Sequence, residues 1–181
     1  LVMWNPHSVM FEIAWCVMLY TTVLGLEYSG MVFERLGWER AVRIQHMITL
    51  PLVILGVILS TLHQSSLGSL YLIVPHKLYP LWYTELLPAI FWTSAVCVGL
   101  AMVIVESRLS AKAMGRELEL PILRDIGRAL MGALGVLMVL RVRDLFARGV
   151  IGLAFQPGYE AWLFQLEVVI GMILPFVLLA V

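Results

Sequence analysis

The chain has 181 residues, of which 61% are hydrophobic and 13% are charged, with a formal net charge of zero and a mean hydropathy of +0.94. Soluble domains carry about 25% charged residues, so this chain has too little polar surface to enclose a soluble core and is expected in a lipid bilayer. The balanced charge also gives no reason to expect a nucleic-acid partner.

The first predicted elements are long apolar helices. A helix that crosses a bilayer needs about 20 mostly apolar residues, and five stretches satisfy this requirement. The sequence therefore predicts an all-α integral membrane protein with one helical domain. Its helices are expected at approximately residues 8–33, 44–62, 86–105, 121–140 and 159–181. Pro121 suits the first turn of the fourth helix, where its missing N–H has no partner to lose.

The two ends of the sequence suggest a segment of a longer chain. The first residue is Leu1 rather than methionine, no signal-peptide pattern follows it, and the last residues form the apolar run ILPFVLLAV. We therefore expect an internal piece of a larger membrane protein.

The basic residues of the predicted loops are distributed unequally between the two membrane surfaces. Eight fall on one side and four on the other, which predicts that the first side is cytoplasmic and that the carboxyl end of the second helix faces outward. The first group is Arg35, Arg40, Arg43, Arg108, Lys112, Arg116, Arg124 and Arg128, and the second is Lys77, Arg141, Arg143 and Arg148.

Carboxylates inside the predicted spans are candidate functional groups, because ionisable side chains in a bilayer are costly. Glu12 and Glu27 lie in the first helix, about 60° apart around its axis and about 22 Å apart along it. Glu106 lies at the end of the third helix. These three residues are candidates for a proton path, and the alternative is that each pairs with a basic residue at the membrane surface.

Other charged residues are expected to have structural roles. Glu85 precedes the third helix, where a cap or a surface position is the expected role. Glu167, within the fifth helix, is expected to hold helices together or to line a cavity. At the end of the fourth helix, Arg141, Arg143 and Asp144 are expected to pair with one another.

The segment HQSS, His63 to Ser66, places four hydrogen-bonding side chains at the predicted end of the second helix. A neutral imidazole can both donate and accept a hydrogen bond, and it exchanges protons near neutral pH. A quinone head group needs a donor at each carbonyl together with an apolar slot. His63 is therefore the leading candidate for such a site, with Gln64, Ser65 and Ser66 beside it. The alternative is a histidine that satisfies local backbone at a helix end.

Haem, iron–sulfur and zinc sites are not expected in this chain. His46 and His63 share one predicted helix about 25 Å apart, so they cannot clamp one haem, and His7 and His76 lie in connections. No CxxC pair is present, and the two cysteines lie in apolar runs, so the chain cannot ligate an iron–sulfur cluster by itself. Zinc-ligand spacing is likewise missing.

Three long segments carry a family resemblance. SVMFEIAWCVMLYTTVLGLEYSGMVFERLGW, LHQSSLGSL and PLWYTELLPAIFWTSAVCVGLAMVIVES are similar to the polysulfide-reductase membrane-subunit family, also called NrfD/PsrC-like, and in particular to the hydrogenase-2 type membrane subunits. The membrane subunits of Dsr and Hmc complexes are similar. The resemblance is strong over residues 5–107 and weaker over residues 109–181.

The resemblance implies a bundle of eight to ten transmembrane helices in the cytoplasmic (inner) membrane of a bacterium or archaeon. It implies a bound quinone, menaquinone above all, near the outer surface, and no haem or metal in this chain. Its expected partners are a ferredoxin-like iron–sulfur subunit and a larger redox complex. The family's motifs fall on Phe11 and Glu12, on His63 to Ser66, and on Glu106, which implies quinone and proton roles for them.

These observations lead to one hypothesis and two alternatives. The hypothesis is a quinone-reactive membrane subunit of a respiratory redox complex, in which His63 contacts the quinone, Glu12 is its proton partner, and Glu27 and Glu106 link the site to the cytoplasmic side. One alternative is an ion or solute transporter that binds its cargo through intramembrane carboxylates. The other is a purely structural membrane anchor.

Overall fold

The chain folds into long helices joined by short connections. A computed structural model describes residues 5–115 and 117–180, and in these residues there is no strand. The all-α prediction is therefore confirmed for the described part of the chain. Arg116, which entered the count of basic residues, and Val181, the expected end of the fifth helix, lie outside it. The helices are α1 Val9–Leu36, α2 Glu39–Leu70, α3 Leu87–Met114, α4 Leu120–Ala147 and α5 Tyr159–Ala180.

Local sequence signals set several of the helix ends. The Ser8 hydroxyl accepts a hydrogen bond from the Met10 N–H and caps the start of α1. Gly37 ends α1 with φ 70°, a left-handed conformation that glycine adopts without a steric penalty. Gly115 ends α3 in the same way with φ 62°. Pro121 lies in the first turn of α4, as predicted from the sequence.

Helix α2 is longer than the sequence suggested. It continues to Leu70 rather than ending near residue 62, so HQSS lies within its last turns and not at its end. The helix continues through this polar segment, and beyond it the Ser69 hydroxyl donates to the Ser65 carbonyl one turn earlier at 3.1 Å, a bond that a helix accommodates. The expectation that HQSS closes the helix is corrected accordingly.

In the part of the chain that the structure describes, four helices are long and apolar enough to cross a membrane, namely α1, α2, α3 and α5. The protein is thus of the multi-pass membrane type on length and composition. Helix α4 forms where it was predicted, but charges at both ends leave no uncharged stretch of comparable length, so the expected fifth span is not confirmed. These charges are Arg124, Asp125, Arg128, Arg141, Arg143 and Asp144.

The chain divides into two compact units, Leu1–Leu70 and Tyr71–Val181. In the first unit, α1 and α2 form a helical hairpin. Val23 of α1 packs with Leu52 and Leu59 of α2 in its core. The missing side chain of Gly30 leaves room for Gln45, whose amide donates to the Glu27 carbonyl at 3.4 Å.

In the second unit, α3, α4 and α5 share one apolar core. Ile90 and Cys97 of α3 pack with Leu134 of α4 and Met172 of α5. A second cluster around Leu81, which is completely buried, fills the end of this unit near the α3 amino terminus.

The connection before α3 is fixed by a polar cluster that we name the Asp144 clamp, formed by Pro80, Thr84, Asp144 and Arg148. The buried Asp144 carboxylate accepts from the Thr84 hydroxyl and from Nε and Nη2 of Arg148, the latter two at 2.9 and 2.5 Å. Arg148 Nη1 donates to the Pro80 carbonyl at 2.6 Å. One carboxylate thereby ties residues of the connection to the end of α4.

Replacing Asp144 by alanine is expected to lower the free energy of unfolding by about 3 kcal/mol, because Arg148 and Thr84 lose their shared acceptor. Asp125→Ala is the matched control, since Asp125 pairs with Arg128 on the exposed surface of the same helix and such pairs contribute about 0–1 kcal/mol. The free energy of unfolding of each variant is measured on the purified whole complex. Equal losses of unfolding free energy in Asp144→Ala and Asp125→Ala would contradict a structural role for the Asp144 clamp.

Candidate functional site

The hairpin of α1 and α2 brings together two of the residues singled out from the sequence. The Ser66 hydroxyl donates to Glu12 Oε1 at 2.9 Å, and Ser66 is buried with 5% of its surface exposed. This contact joins Glu12 on α1 to the HQSS segment on α2, although 54 positions separate Glu12 and Ser66 in the chain. We call Glu12, His63, Ser66 and the groove beside Glu12 the α1–α2 site.

His63 lies one helical turn before Ser66, so its imidazole projects from a neighbouring part of the same helix face. Its Nδ1 atom is buried and has no hydrogen-bond partner among the described residues. Buried polar atoms are nearly always paired, so an unpaired ring nitrogen one turn from the residue that binds Glu12 indicates a place for a ligand group.

The other two HQSS side chains point elsewhere. Successive helical residues are rotated by about 100°, which turns Gln64 to nearly the opposite side of α2 from Ser66 and Ser65 to its flank. The Ser65 carbonyl accepts from the Ser69 hydroxyl. The structure thus gives no contact between Glu12 and either Gln64 or Ser65.

An apolar groove of about 430 Å³ runs beside Glu12. Phe11 and Trp15 form its α1 side, with ring centroids 6.1 Å apart, and Leu59 and Leu62 form its α2 side. Its volume lies in the range of small-molecule sites. Its walls are mainly aromatic and aliphatic, and its polar groups are the Glu12 carboxylate, the His7 imidazole and the Ser8 hydroxyl.

Glu27 faces the same partner helix deeper in the hairpin. It lines a second cavity of about 390 Å³ together with Tyr20 and Ser60. Its carboxylate also lies 4.0 Å from the position that a Cβ would take on Gly56 of α2. Tyr20 and Ser60 carry hydroxyls between the levels of Glu12 and Glu27, and the sequence analysis did not single them out. Their signal was the helical spacing from Glu12 to Tyr20 to Glu27.

Glu106 and Glu85 belong to the second unit and are both exposed. Among the described residues neither forms an ion pair. Glu85 does not cap α3. Instead, the Thr84 hydroxyl accepts from the Leu86 N–H at 3.1 Å.

The charges at the end of α4 pair differently from the expectation. Arg141 does not pair with Asp144. Its Nη2 donates to Glu167 Oε1 of α5 at 3.1 Å, while Asp144 pairs with Arg148. The reason is that Arg141 lies on the α5-facing side of α4, whereas Arg148 follows Asp144 by one turn. Arg143 is exposed.

Glu167 has a second donor, which the sequence analysis missed. Trp82 Nε1 donates to Glu167 Oε2 at 2.5 Å, and the Trp82 ring packs edge-on against Phe164 at 5.7 Å between centroids. Arg141 lies 5.9 Å from the centroid of Phe164. Sequence position alone could not join these residues, because 85 positions separate Trp82 from Glu167.

The histidines do not form an evident metal site. In residues 5–115 and 117–180, no cluster of three histidine, cysteine or acidic side chains has the arrangement of a metal site. His46 and His63 lie on the same helix, about 25 Å apart, and His7 and His76 lie outside the five long helices. No two of these imidazoles therefore face each other across neighbouring helices, as a haem clamped by two histidines requires.

A double-mutant cycle on Glu12→Ala and Ser66→Ala is expected to give a coupling energy of about 0.6–1.5 kcal/mol, the range of interhelical hydrogen bonds in membranes. The matched cycle on Glu12→Ala and Ser65→Ala is expected to give a value near zero, because these side chains do not touch. Unfolding of the purified complex supplies the energies. Similar coupling in both cycles would argue against the Glu12–Ser66 bond.

Comparisons with known proteins agree with this architecture and confirm the resemblance noted in the sequence. A protein of Nitratidesulfovibrio vulgaris Hildenborough is 44% identical over 125 residues, which cover 69% of this chain and 32% of that protein. The "probable Ni/Fe-hydrogenase 2 b-type cytochrome subunit" of Escherichia coli K12 is 33% identical over 181 residues, covering 98% of this chain and 46% of that protein.

A third relative is the "menaquinone reductase, integral membrane subunit" of the same Nitratidesulfovibrio strain, 31% identical over 126 residues, or 63% of this chain and 30% of that protein. The chain thus spans about a third to a half of the length of these relatives. No solved structure matches it. The model of the polysulphide reductase NrfD family matches residues 1–181, and the chain therefore belongs to this family of membrane proteins.

Proposed function

We propose that the chain forms the quinone-reactive part of the membrane subunit of a respiratory redox complex. Electrons would pass between the quinone pool and an iron–sulfur subunit of the ferredoxin-like type bound to the same complex. Family membership and the menaquinone reductase relative support this assignment. The whole protein would be a bundle of eight to ten helices in the cytoplasmic membrane, with α4 as a fifth span of this chain.

The observation that carries the proposal is the buried and unpaired Nδ1 of His63, one turn from the Ser66–Glu12 hydrogen bond. A quinone carbonyl needs a hydrogen-bond donor at the edge of an apolar slot. The imidazole can supply the donor, and the groove between Phe11, Trp15 and Leu62 supplies apolar walls. The residues of the α1–α2 site therefore fit a quinone head group.

The chemistry assigns a different role to each polar side chain. A bound quinone would supply two-electron, two-proton redox chemistry at this site. His63 would hold a proton at its ring nitrogen and exchange it with the bound carbonyl oxygen. Ser66 holds Glu12 in place by donating to its carboxylate, so that Glu12 can exchange protons with the site through its second oxygen.

A proton path along the hairpin is the second part of the proposal. Glu12 and Glu27 both face α2, and the hydroxyls of Tyr20 and Ser60 beside Glu27 reduce the distance that a proton must travel between the carboxylates. Glu106, in the second unit, is a separate candidate for proton exchange at the cytoplasmic surface. Proton movement along most of the membrane thickness would make quinone turnover electrogenic.

The name of the Escherichia coli relative raises haem as a further possibility. The described histidines do not fit a haem held by two imidazoles, because they do not face each other across neighbouring helices. The proposal therefore assigns the redox chemistry of this chain to quinone and includes no haem step.

Replacing His63 by alanine is expected to slow quinone-linked electron transfer by about 100-fold, because the proton donor to the bound carbonyl is lost. Gln64→Ala is the matched control, since Gln64 is the next residue of α2 and points away from Glu12. Turnover is measured with the purified whole complex, and the intact iron–sulfur signals of both variants serve as the assembly check. Unchanged turnover in an assembled His63→Ala complex would contradict a role for His63 in quinone chemistry.

Replacing Glu27 by glutamine is expected to slow proton uptake about tenfold while quinone binding stays unchanged, because an amide keeps the shape but cannot carry the proton. Glu34→Gln, at an exposed position near the end of α1, is the control. The complex is reconstituted into liposomes that contain a pH-sensitive dye. Normal proton uptake in Glu27→Gln liposomes would remove Glu27 from the path.

A further inference from the structure

The second unit contains a cavity that the α1–α2 site does not use. Its volume is about 350 Å³, within the range of small-molecule sites. Helices α3, α4 and α5 and the connection before α3 all contribute to it. The residues that matter here are Tyr71, Trp82, Phe91, Arg141, Glu167 and Met172.

Arg141 is the unusual residue of this cavity. Only 7% of its surface is exposed, yet among the described residues its single hydrogen bond is the one from Nη2 to Glu167. Its Nε and Nη1 atoms are buried and have no partner. Leaving charged donors unpaired in an apolar interior is costly, so these two nitrogens call for an acceptor. Arg141 is one of the residues that line the cavity, so a ligand bound there can supply one.

The charge balance around Arg141 selects a neutral acceptor. Glu167 already neutralises Arg141, and in the Asp144 clamp Arg148 neutralises Asp144. An anionic ligand would add an unbalanced charge among apolar helices. A carbonyl oxygen can accept from Arg141 without adding any charge.

The aromatic walls of the cavity favour a ligand with a planar ring. The rings of Tyr71 and Phe91 lie 5.8 Å apart at 38° to each other, and Trp82 is held by its bond to Glu167. Met172 adds a flexible apolar side chain that can adapt to the outline of a ligand. Aromatic faces pack favourably against planar rings.

A π-helical segment shapes this cavity. Residues Val169–Ile173 of α5 form one π turn, and Met172 lies within it. Pro175 follows directly and cannot donate to the residue four positions earlier, which accounts for the irregularity at this point. Single π turns occur often at functional sites.

We propose that the cavity binds a neutral, carbonyl-bearing ring with an apolar tail, that is a quinone head group, with its carbonyl oxygen accepting from Arg141. The residues of this cavity differ from those of the α1–α2 site, and the inference does not depend on His63. The same carbonyl chemistry is also present in the ester groups of membrane lipids, and the experiment separates the two sources.

The test is a titration of the purified whole complex with menaquinone-4, followed by native mass spectrometry. Arg141→Lys retains the charge opposite Glu167 but loses Nε and the second guanidinium nitrogen, and it is expected to weaken menaquinone-4 binding about 10- to 100-fold. Arg143→Gln, an exposed arginine of the same helix, is the matched control and is expected to bind like the wild type. Each variant is also made in a His63→Ala background, which isolates this cavity from the α1–α2 site.

Two results would overturn the inference. One is Arg141→Lys binding menaquinone-4 as tightly as Arg143→Gln in the His63→Ala background. The other is a phospholipid that co-purifies with the wild type, is lost in Arg141→Lys, and is not displaced by menaquinone-4. Should Arg141→Lys fail to assemble, Arg141→Met with Glu167→Gln removes both charges together and is expected to show the same loss of binding. The two proposals fail independently. Normal quinone turnover in His63→Ala would contradict the role of His63, and weakened menaquinone-4 binding in Arg141→Lys would still support the second cavity.

Discussion

The cost of an unpaired polar group among apolar helices governs the structure of both units. Hydrocarbon offers no hydrogen-bond partners, so each buried donor must find its acceptor inside the protein. Ser66 and Glu12 satisfy this requirement across the hairpin, and Arg141 and Glu167 satisfy part of it across α4 and α5. The packing of leucine, isoleucine and valine brings helices together, but these few polar contacts determine which faces meet.

The sequence predicted the helices well because bilayer thickness sets their length. It predicted α1 and α5 close to their observed bounds, whereas α3 and α4 continue to Met114 and Ala147, beyond their predicted ends at residues 105 and 140. Helical geometry alone assigned Glu12 and Glu27 to one broad face. The polar residues of HQSS predict an end of α2 near residue 62, which is too early. In the structure the Ser66 hydroxyl bonds to Glu12 and the Ser69 hydroxyl to a carbonyl one turn earlier, and the helix continues to Leu70.

The polar core of the second unit could not be predicted in the same way. Arg141, Asp144 and Arg148 are close in sequence, so pairing among neighbours was the simplest expectation. The acceptor for Arg141 lies on α5 and the orienting donor, Trp82, lies in the connection before α3. Long-range contacts of this kind depend on how helices are rotated about their axes, and helical periodicity in one segment does not fix the rotation of another.

The single π turn in α5 has a consequence for the alignment of related chains. Glu167 and Phe176 are nine positions apart, which in a regular helix would place them on opposite sides, at about 180°. The π turn accommodates one additional residue and reduces this angle to about 80°, so that Glu167 can reach Arg141 while Phe176 packs against Gly135 on the same helix α4. A relative with one residue fewer here would have a regular α5, with the residues that follow turned away from α4. A one-residue gap near position 170 in a relative would therefore mark a chain whose second cavity has a different lining.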